Sequence, residues 1–272
     1  MNYRMSPENA VCLSAAGLDV CALANNHVID FGLEGMADTI DALDRLGIAH
    51  AGAGRTQEEA EAPAVVDAGE RGRVLVLSVG SPSSGVPHAW RATPRSPGVC
   101  LLSELSPSAV RHVRSMVERH ARPRDVVVLS IHWGPNWGYD VTAEERRFAH
   151  AVIAEAGVHV VHGHSSHHVR GIEVFDGHLV LYGCGDLLTD YEGIHGYESY
   201  RGDLGLLYLP TLDVERGTLE RLEMVPTRVR RLQVTRAPAD DAGWLREVLD
   251  REGARLGTRV EQDAEGRLHL CL

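Results

Sequence analysis

Short apolar runs alternate along the chain with amphipathic stretches, and this pattern predicts the secondary structure. Apolar residues at helical spacing predict helices after Ser6-Pro7, from about Leu33, after Ser106-Pro107, after Thr142 and near Asp240. Runs rich in β-branched residues and leucine predict strands at about 20–23, 48–50, 74–79, 125–131, 158–161, 172–175, 178–182, 204–209 and 219–225, with a last hairpin around 264–266. The first half therefore alternates helix with strand, and the second half is rich in hairpins.

This order of elements predicts a layered α/β protein with mixed sheets. The sequence Asp176-Gly177 between two apolar runs is the strongest hairpin signal. Prolines and glycines make residues 80–98 an expected irregular loop. Because no long Pro/Gly/Ser-rich or charged linker interrupts the chain, we expect residues 1–272 to form a single domain, including the strands and helix of 211–272.

Composition narrows the classes of function. The 44% hydrophobic and 24% charged residues are typical of a soluble globular protein, and the formal net charge of -11 argues against nucleic acid as a partner. The chain contains no lysine, which excludes a lysine nucleophile or Schiff base. Its five cysteines are scattered without a CxxC pair, which fits free thiols in a reducing compartment. With no apolar membrane-spanning stretch or signal peptide, the chain as written is expected to be cytoplasmic.

Three of the apolar runs end in histidine. The first leads into Asn25-Asn26-His27, the second into His132-Trp133-Gly134, and the third into the histidine-rich stretch 162–168. Buried strands deliver side chains to a site at their carboxyl ends, and imidazole is a ligand for transition metals. The repeated pattern favours a metal or catalytic site over ordinary polar loops.

The first two strings each allow two interpretations. The Asn26 amide oxygen can complete a metal shell and His27 can donate a proton, but the two asparagines can also form a turn with left-handed backbone. His132 can be a ligand walled by apolar surface or a capping histidine beneath Trp133.

In the third string, the metal interpretation is the stronger one. His164 and His167 are expected in a loop, pointing to a common centre, whereas His162 and His168 support them or are structural. Asp186 either orients a ligand imidazole or caps a turn. A polar stretch with Tyr191, Tyr197, Tyr200 and Arg201 either closes over a substrate or is a surface loop.

Together these strings resemble the CapA family, which is named for poly-γ-glutamate capsule biosynthesis and has a calcineurin-like metallophosphoesterase fold. The family's Asn-Asn-His-x-x-Asp-x-Gly string corresponds to residues 25–32, its His-Trp-Gly to 132–134, and its Gly-His-x-x-His to 163–167. The Tyr-x-x-Gly-Asn element is similar to the segment that ends at Asp186. The resemblance covers about residues 3–209 and implies an α-β-β-α layered arrangement.

The resemblance also implies roles for individual residues. Asn26, His132, His164 and His167 would be ligands of a divalent metal, Mn, Fe or Zn, possibly two ions. His27 would donate the proton, with Asp30 beside it in the catalytic group. Family members usually begin with a Gly-Asp strand and an Asn-x-Glu element, which would precede the residue matching Tyr3. We therefore expect either a missing N-terminal segment, which could carry a membrane anchor or export signal, or a variant with a depleted site.

The resulting hypothesis is a CapA-like protein of poly-γ-glutamate or capsule-type biosynthesis. It would be a metal-dependent hydrolase or acyl/phosphoryl-transfer enzyme that acts on a small anionic or polyglutamate-like substrate, with capsule-synthesis proteins as partners. One alternative is a non-catalytic binding or assembly component with a depleted metal site. Another is a mononuclear zinc hydrolase that uses three of the histidines 27, 132, 164 and 167.

Overall fold

Helices and mixed sheets make up the computed structural model, which describes residues 2–189 and 194–272 and confirms the predicted α/β class. The chain divides into two compact units. The first consists of Met1–Trp133 and His150–Val158, and the second of Gly134–Ala149 and His159–Leu272. The single domain over 1–272 stays a prediction. None of the described helices is both long and apolar enough to span a bilayer.

The first unit is built around a helix-covered set of strands. Its helices are α1 (Val11–Ala15), α2 (Gly32–Leu46), α3 (Gln57–Glu61) and α4 (Pro107–His120), and its strands are β1 (Val20–Ala22), β2 (Ala49–Ala51), β3 (Ala53–Gly54), β4 (Ala64–Asp67), β5 (Arg73–Gly80), β6 (Gly98–Val99) and β7 (Val126–His132). Strand β5 pairs parallel to β7 and antiparallel to β4. Strands β1 and β2 pair parallel, and β3 and β6 pair antiparallel.

The core of this unit fixes the loop that follows β1. Met36, Ile40 and Leu43 recur at helical spacing on α2 and are buried in one cluster with Leu23 and Ile29. Leu23 and Ile29 lie on either side of the Asn-Asn-His string, so their burial anchors both ends of that loop. Burying such side chains contributes about 1.5–3 kcal/mol each.

Among the residues that the structure describes, the second unit contains two groups of strands and one α-helix of its own. Its elements are the strands β8 (Val160–His164), β9 (Ile172–Phe175), β10 (His178–Leu181), β11 (Leu204–Leu212), β12 (Leu219–Arg230), β13 (Gln233–Arg236), β14 (Arg259–Gln262) and β15 (Leu268–Cys271), and the helix α6 (Ala239–Gly253). Strand β10 pairs parallel to β8 and antiparallel to β9. The remaining strands have the antiparallel order β11-β12-β15-β14, with β13 beside β12. Helix α5 (Ala143–Ala156) begins in this unit and ends in the first.

Capping and turn chemistry account for the element boundaries that the sequence predicted well. The Ser106 hydroxyl accepts a hydrogen bond from the N–H of Ala109 at the start of α4. At α5, Thr142 and Glu145 form a reciprocal capping box. Asp176 and Gly177, both with positive φ, form the predicted hairpin turn between β9 and β10.

Candidate functional site

The Asn-Asn-His string of the first unit forms a tight turn after β1. The backbone N–H of His27 donates to Asn25 Oδ1 at 2.9 Å, and the N–H of Asp30 donates to the His27 carbonyl at 3.0 Å. Neither asparagine has a positive φ, so the left-handed backbone offered as an alternative is wrong. An asparagine side chain that bonds the backbone two residues on is an Asx turn, which leaves Asn26 and His27 presented by a defined loop.

His27 is held by a carboxylate. Its Nδ1 lies 2.8 Å from Asp30 Oδ2, and the same oxygen accepts the backbone N–H of Tyr3 at 2.8 Å. The Tyr3 ring meets the imidazole edge-on at 4.6 Å between centroids. Since the His27 side chain is 38% exposed and the Asp30 side chain 9%, the carboxylate is buried under a ring that reaches solvent. This arrangement suits proton transfer by the other ring nitrogen, Nε2.

Asn26 and His132 meet in the same unit. The Asn26 Oδ1 and His132 Nε2 atoms are 3.2 Å apart. His132 is the last residue of β7, is 8% exposed, and accepts hydrogen bonds on its carbonyl from the Ser81 N–H at 2.9 Å and the Ser84 hydroxyl at 2.8 Å. Two donors about 2.1 Å from one cation at octahedral or tetrahedral angles are about 3.0–3.4 Å apart. The pair is at hydrogen-bonding distance, which is also the spacing of two adjacent ligand atoms around a metal ion.

His164 lies in a strand of the second unit. It ends β8, so the prediction that it sits in a loop is wrong, because the strand runs three residues further than its apolar run indicates. Strand alternation puts His162 and His164 on one face, with ring centroids 5.7 Å apart. Burial lowers the pKa of His162 to about 4, so this ring is neutral at physiological pH.

His167 contacts the residue predicted to orient it. Its Nδ1 lies 3.0 Å from Asp186 Oδ2 and 3.2 Å from Oδ1, and its backbone N–H donates to the Asn136 carbonyl at 3.1 Å. A carboxylate on one ring nitrogen fixes the tautomer and presents the other nitrogen, as in carboxylate–histidine–metal arrangements. The contact is present, and its role in metal binding stays a prediction.

Aromatic rings gather around this histidine. Trp137 lies 5.5 Å from His167 and stacks on Tyr197 at 4.4 Å between centroids. The rings of His168 and Tyr200 join them, with 4.6 Å between their centroids. The cluster consists of Trp137, Tyr139, His168, Tyr197 and Tyr200. Tyr197 and Tyr200 therefore pack against Trp137, a contact that the surface-loop interpretation did not include. Tyr191 lies outside the described residues.

Burial makes His168 a structural residue. Its Nδ1 lies 2.9 Å from the Val169 carbonyl oxygen, and its Nε2 accepts the N–H of Gly138 at 3.2 Å. Its pKa is lowered to about 4, chiefly by burial. Both ring nitrogens are engaged by backbone, so this imidazole holds the loop that carries Trp137.

A buried ion pair between Arg170 and Glu145 was not apparent from the sequence. Arg170 is 1% exposed, and its guanidinium donates to Glu145 at 3.1 and 3.2 Å, to the Tyr182 carbonyl at 3.3 Å and to the Asp140 carbonyl. The bond to the Asp140 carbonyl anchors the end of the loop 134–140, whose Asn136 carbonyl accepts the His167 N–H. Nothing in the string Val-Arg-Gly distinguishes this buried arginine from an exposed one.

The structure brings the predicted residues together in pairs. Asn26 contacts His132, His27 contacts Asp30, and His167 contacts Asp186. Across residues 2–189 and 194–272, no group of three or more His, Cys, Asp or Glu side chains is close enough to hold a metal ion. The four-ligand set from Asn26, His132, His164 and His167 stays a prediction.

Comparison with known proteins gives consistent similarities. The family model described as bacterial capsule synthesis protein PGA_cap matches residues 1–191. A probable polyglutamine synthesis accessory protein of Mycobacterium tuberculosis is 46% identical over 95% of this chain and 68% of its own length. The PGA biosynthesis protein CapA of Bacillus subtilis is 25% identical over 93% of this chain and 61% of its own. The capsule biosynthesis protein CapA of Bacillus anthracis is 27% identical over 67% and 43%, respectively.

Proposed function

The chain belongs to the bacterial capsule synthesis protein family PGA_cap, and from this premise we propose that it is a metal-dependent hydrolase or acyl/phosphoryl-transfer enzyme of polyglutamate-type synthesis. The family match confirms the resemblance to CapA proteins that the ordered strings indicated. The names of two relatives refer to polyglutamine synthesis and to PGA biosynthesis, and together with the CapA resemblance they support a small anionic or polyglutamate-like substrate.

The observation that carries the proposal is the separation between Asn26 Oδ1 and His132 Nε2. At 3.2 Å, with His132 at the end of a buried strand, both atoms suit one divalent ion, for which Mn, Fe and Zn are the candidates. A metal held there would polarise a carbonyl or phosphoryl oxygen and lower the pKa of a bound water. His164 and His167 are proposed as further ligands on the motif resemblance.

His27 and Asp30 are proposed to move the proton. Asp30 is fixed by the Tyr3 N–H and holds the His27 ring through Nδ1. The exposed side of the ring then donates to the leaving oxygen of the substrate. General acid catalysis of this kind contributes about 10²–10⁴-fold to a rate.

Metal analysis and turnover test the proposal together. We expect the wild-type protein, reconstituted with Mn, Fe or Zn, to retain at least one ion per chain and to cleave a γ-glutamyl peptide or a phosphoester. His132→Ala and Asn26→Ala should each lose the ion and the activity, whereas His88→Ala, at an exposed histidine, should keep both. Stoichiometric metal in the His132→Ala protein would refute the assignment.

A non-catalytic assembly role is the second candidate. It is favoured by the accessory role in the name of the M. tuberculosis relative and by the lack of any three clustered His, Cys, Asp or Glu donors in the part of the chain that the structure describes. Polyglutamate binding by the wild-type protein without retained metal or turnover would select this candidate.

A further inference from the structure

We propose that the β12–β13 hairpin, with the cavity beside it, is a binding surface for a polycarboxylate chain. This surface is defined by Arg228, Arg230 and Arg231 of the hairpin together with Tyr197 and Arg201. The identity of the polymer, polyglutamate, rests on the proposed function. The location rests on charge, shape and backbone conformation within the second unit.

Charge distinguishes the hairpin from the rest of the protein. The chain has a formal net charge of -11, which repels a polyanion, yet no Asp or Glu lies between Met224 and Ala239. Arg230 and Arg231 are exposed and form no ion pair with any residue in 2–189 or 194–272. A polyanion that binds this acidic protein therefore meets concentrated positive charge at the hairpin.

A cavity of about 390 Å³ opens beside these arginines. Its lining includes Tyr197, Glu198, Arg201, Asp203, Arg228 and Arg230. Strand alternation puts Arg228 and Arg230 on the same face of β12, whereas Arg236, which pairs with Thr227, lies on the opposite face. The volume is within the range of about 300–1,000 Å³ typical of ligand sites.

Two arginines of the cavity already bind carboxylates. Arg201 Nε and Nη2 lie 2.8 and 2.9 Å from the two oxygens of Asp203, and Arg228 Nη1 lies 2.8 Å from Asp241. These internal pairs hold the two side chains in place, which leaves Arg230 and Arg231 for an external ligand. The planar guanidinium matches carboxylate geometry in a two-pronged contact.

The turn of the hairpin carries backbone strain. Arg231 and Leu232 have φ of 52° and 59°, and the register Arg230↔Gln233 makes them the two central residues of the turn. Such turns favour Asn-Gly because both positions need the left-handed conformation. Arginine and leucine at these positions cost stability, and strain of this kind concentrates at functional sites.

The cavity shares Tyr197 with the aromatic cluster. Tyr197 lines the cavity and stacks on Trp137, whose ring lies 5.5 Å from His167. A polymer bound at the hairpin would thus meet this cluster at Tyr197. Arg228, Arg230 and Arg231 act in binding and are not expected to touch the reacting bond.

Binding of fluorescein-labelled poly-γ-glutamate tests this surface in chelator-treated protein, where turnover plays no part. We expect Arg230→Gln/Arg231→Gln to weaken binding about tenfold and to reduce its salt dependence. Arg45→Gln/Arg71→Gln, an equal charge change at exposed residues of the first unit, should stay within twofold of wild type. Equal affinity of the two double variants would overturn the proposal.

A second variant separates binding from folding. Arg231→Asn/Leu232→Gly relieves the turn strain, so we expect a higher melting temperature together with weaker polymer binding. Unchanged binding in this variant would count against the surface, as would a DNA oligonucleotide of matched charge that competes as well as poly-γ-glutamate. Metal retention should be unchanged in these variants, because none of the substituted residues is a proposed metal ligand, so loss of the surface and loss of the proposed metal site give different results.

Discussion

Each of the two units holds an imidazole next to a carboxylate at almost the same distance, but different contacts keep the pair in place. His27 lies 2.8 Å from Asp30, and His167 lies 3.0 Å from Asp186. In the first unit, a local turn and one backbone N–H fix the carboxylate. In the second, stacked rings and the Arg170–Glu145 pair fix the loop that binds the histidine. Site geometry is therefore separable from global stability in the first unit and coupled to it in the second.

The largest expected effect follows from breaking the buried pair of the second unit. Arg170→Met leaves Glu145 charged and buried without its partner, so we expect the free energy of unfolding to fall by about 3–5 kcal/mol. Urea denaturation monitored by circular dichroism measures the loss. The ring of His167 should become more mobile, which its NMR signal would report.

Two control variants sharpen this result. Arg73→Met breaks the Arg73–Asp125 pair of the first unit and should destabilise the protein without changing the His167 signal. Arg170→Met/Glu145→Met removes both charges and should recover much of the lost stability. If Arg170→Met costs under about 1 kcal/mol, the coupling described for the second unit is absent.

The two carboxylates should differ in what they control. Asp186→Asn is expected to lower metal affinity about 10–100-fold, because Asp186 orients a proposed ligand. Asp30→Asn should leave metal affinity unchanged and lower kcat, since Asp30 holds the proposed proton donor. Metal titration and steady-state kinetics on both variants separate the roles, and the same effect of both on metal affinity would contradict the distinction.

Acidification gives a smaller and graded effect. Burial lowers the pKa of His159, and it lowers the pKa values of His162 and His168 to about 4. As the pH falls below about 6.5, the unfolded chain binds protons that the folded chain does not, so the free energy of unfolding decreases. Each such histidine contributes a slope of up to about 1.4 kcal/mol per pH unit.

Substitution of His159 isolates one part of that slope. His159 packs 5.6 Å from His178 by ring centroids and is not a proposed ligand. His159→Phe should flatten the dependence of unfolding free energy on pH between 7 and 5, measured by urea titration with chelator present. His88→Phe, at an exposed position, is the matched control, and parallel curves for the two variants would contradict the assignment.

Much of the fold was predictable because interactions between neighbouring residues set where its helices and strands begin and end. Three signals act within a few residues of the elements that they delimit, and those elements were predicted. The signals are Pro107 after Ser106, the Thr142–Glu145 capping box and Asp176-Gly177. Strand β4 was missed because its short apolar run follows Pro63, and β13 was missed because Arg231-Leu232 carries no glycine or asparagine signal.

The site was predictable only in its histidines and carboxylates. The ends of apolar runs indicated His132 and the histidine-rich stretch that contains His164, and the family resemblance indicated Asp30. Trp137 and Arg170 owe their roles to partners distant in sequence, Tyr197 and Glu145, which no local pattern reveals. Long-range packing and buried charge therefore account for what the sequence did not predict.

The chain passes between the two units at residues 133/134, 149/150 and 158/159, the second time within helix α5. No single cleavage can separate the two units and leave both whole. A cut at 158/159 leaves residues 134–149 of the second unit on the fragment that holds the first, and a cut at 133/134 leaves residues 150–158 of the first unit on the fragment that holds the second. Only the uninterrupted polypeptide keeps both units intact.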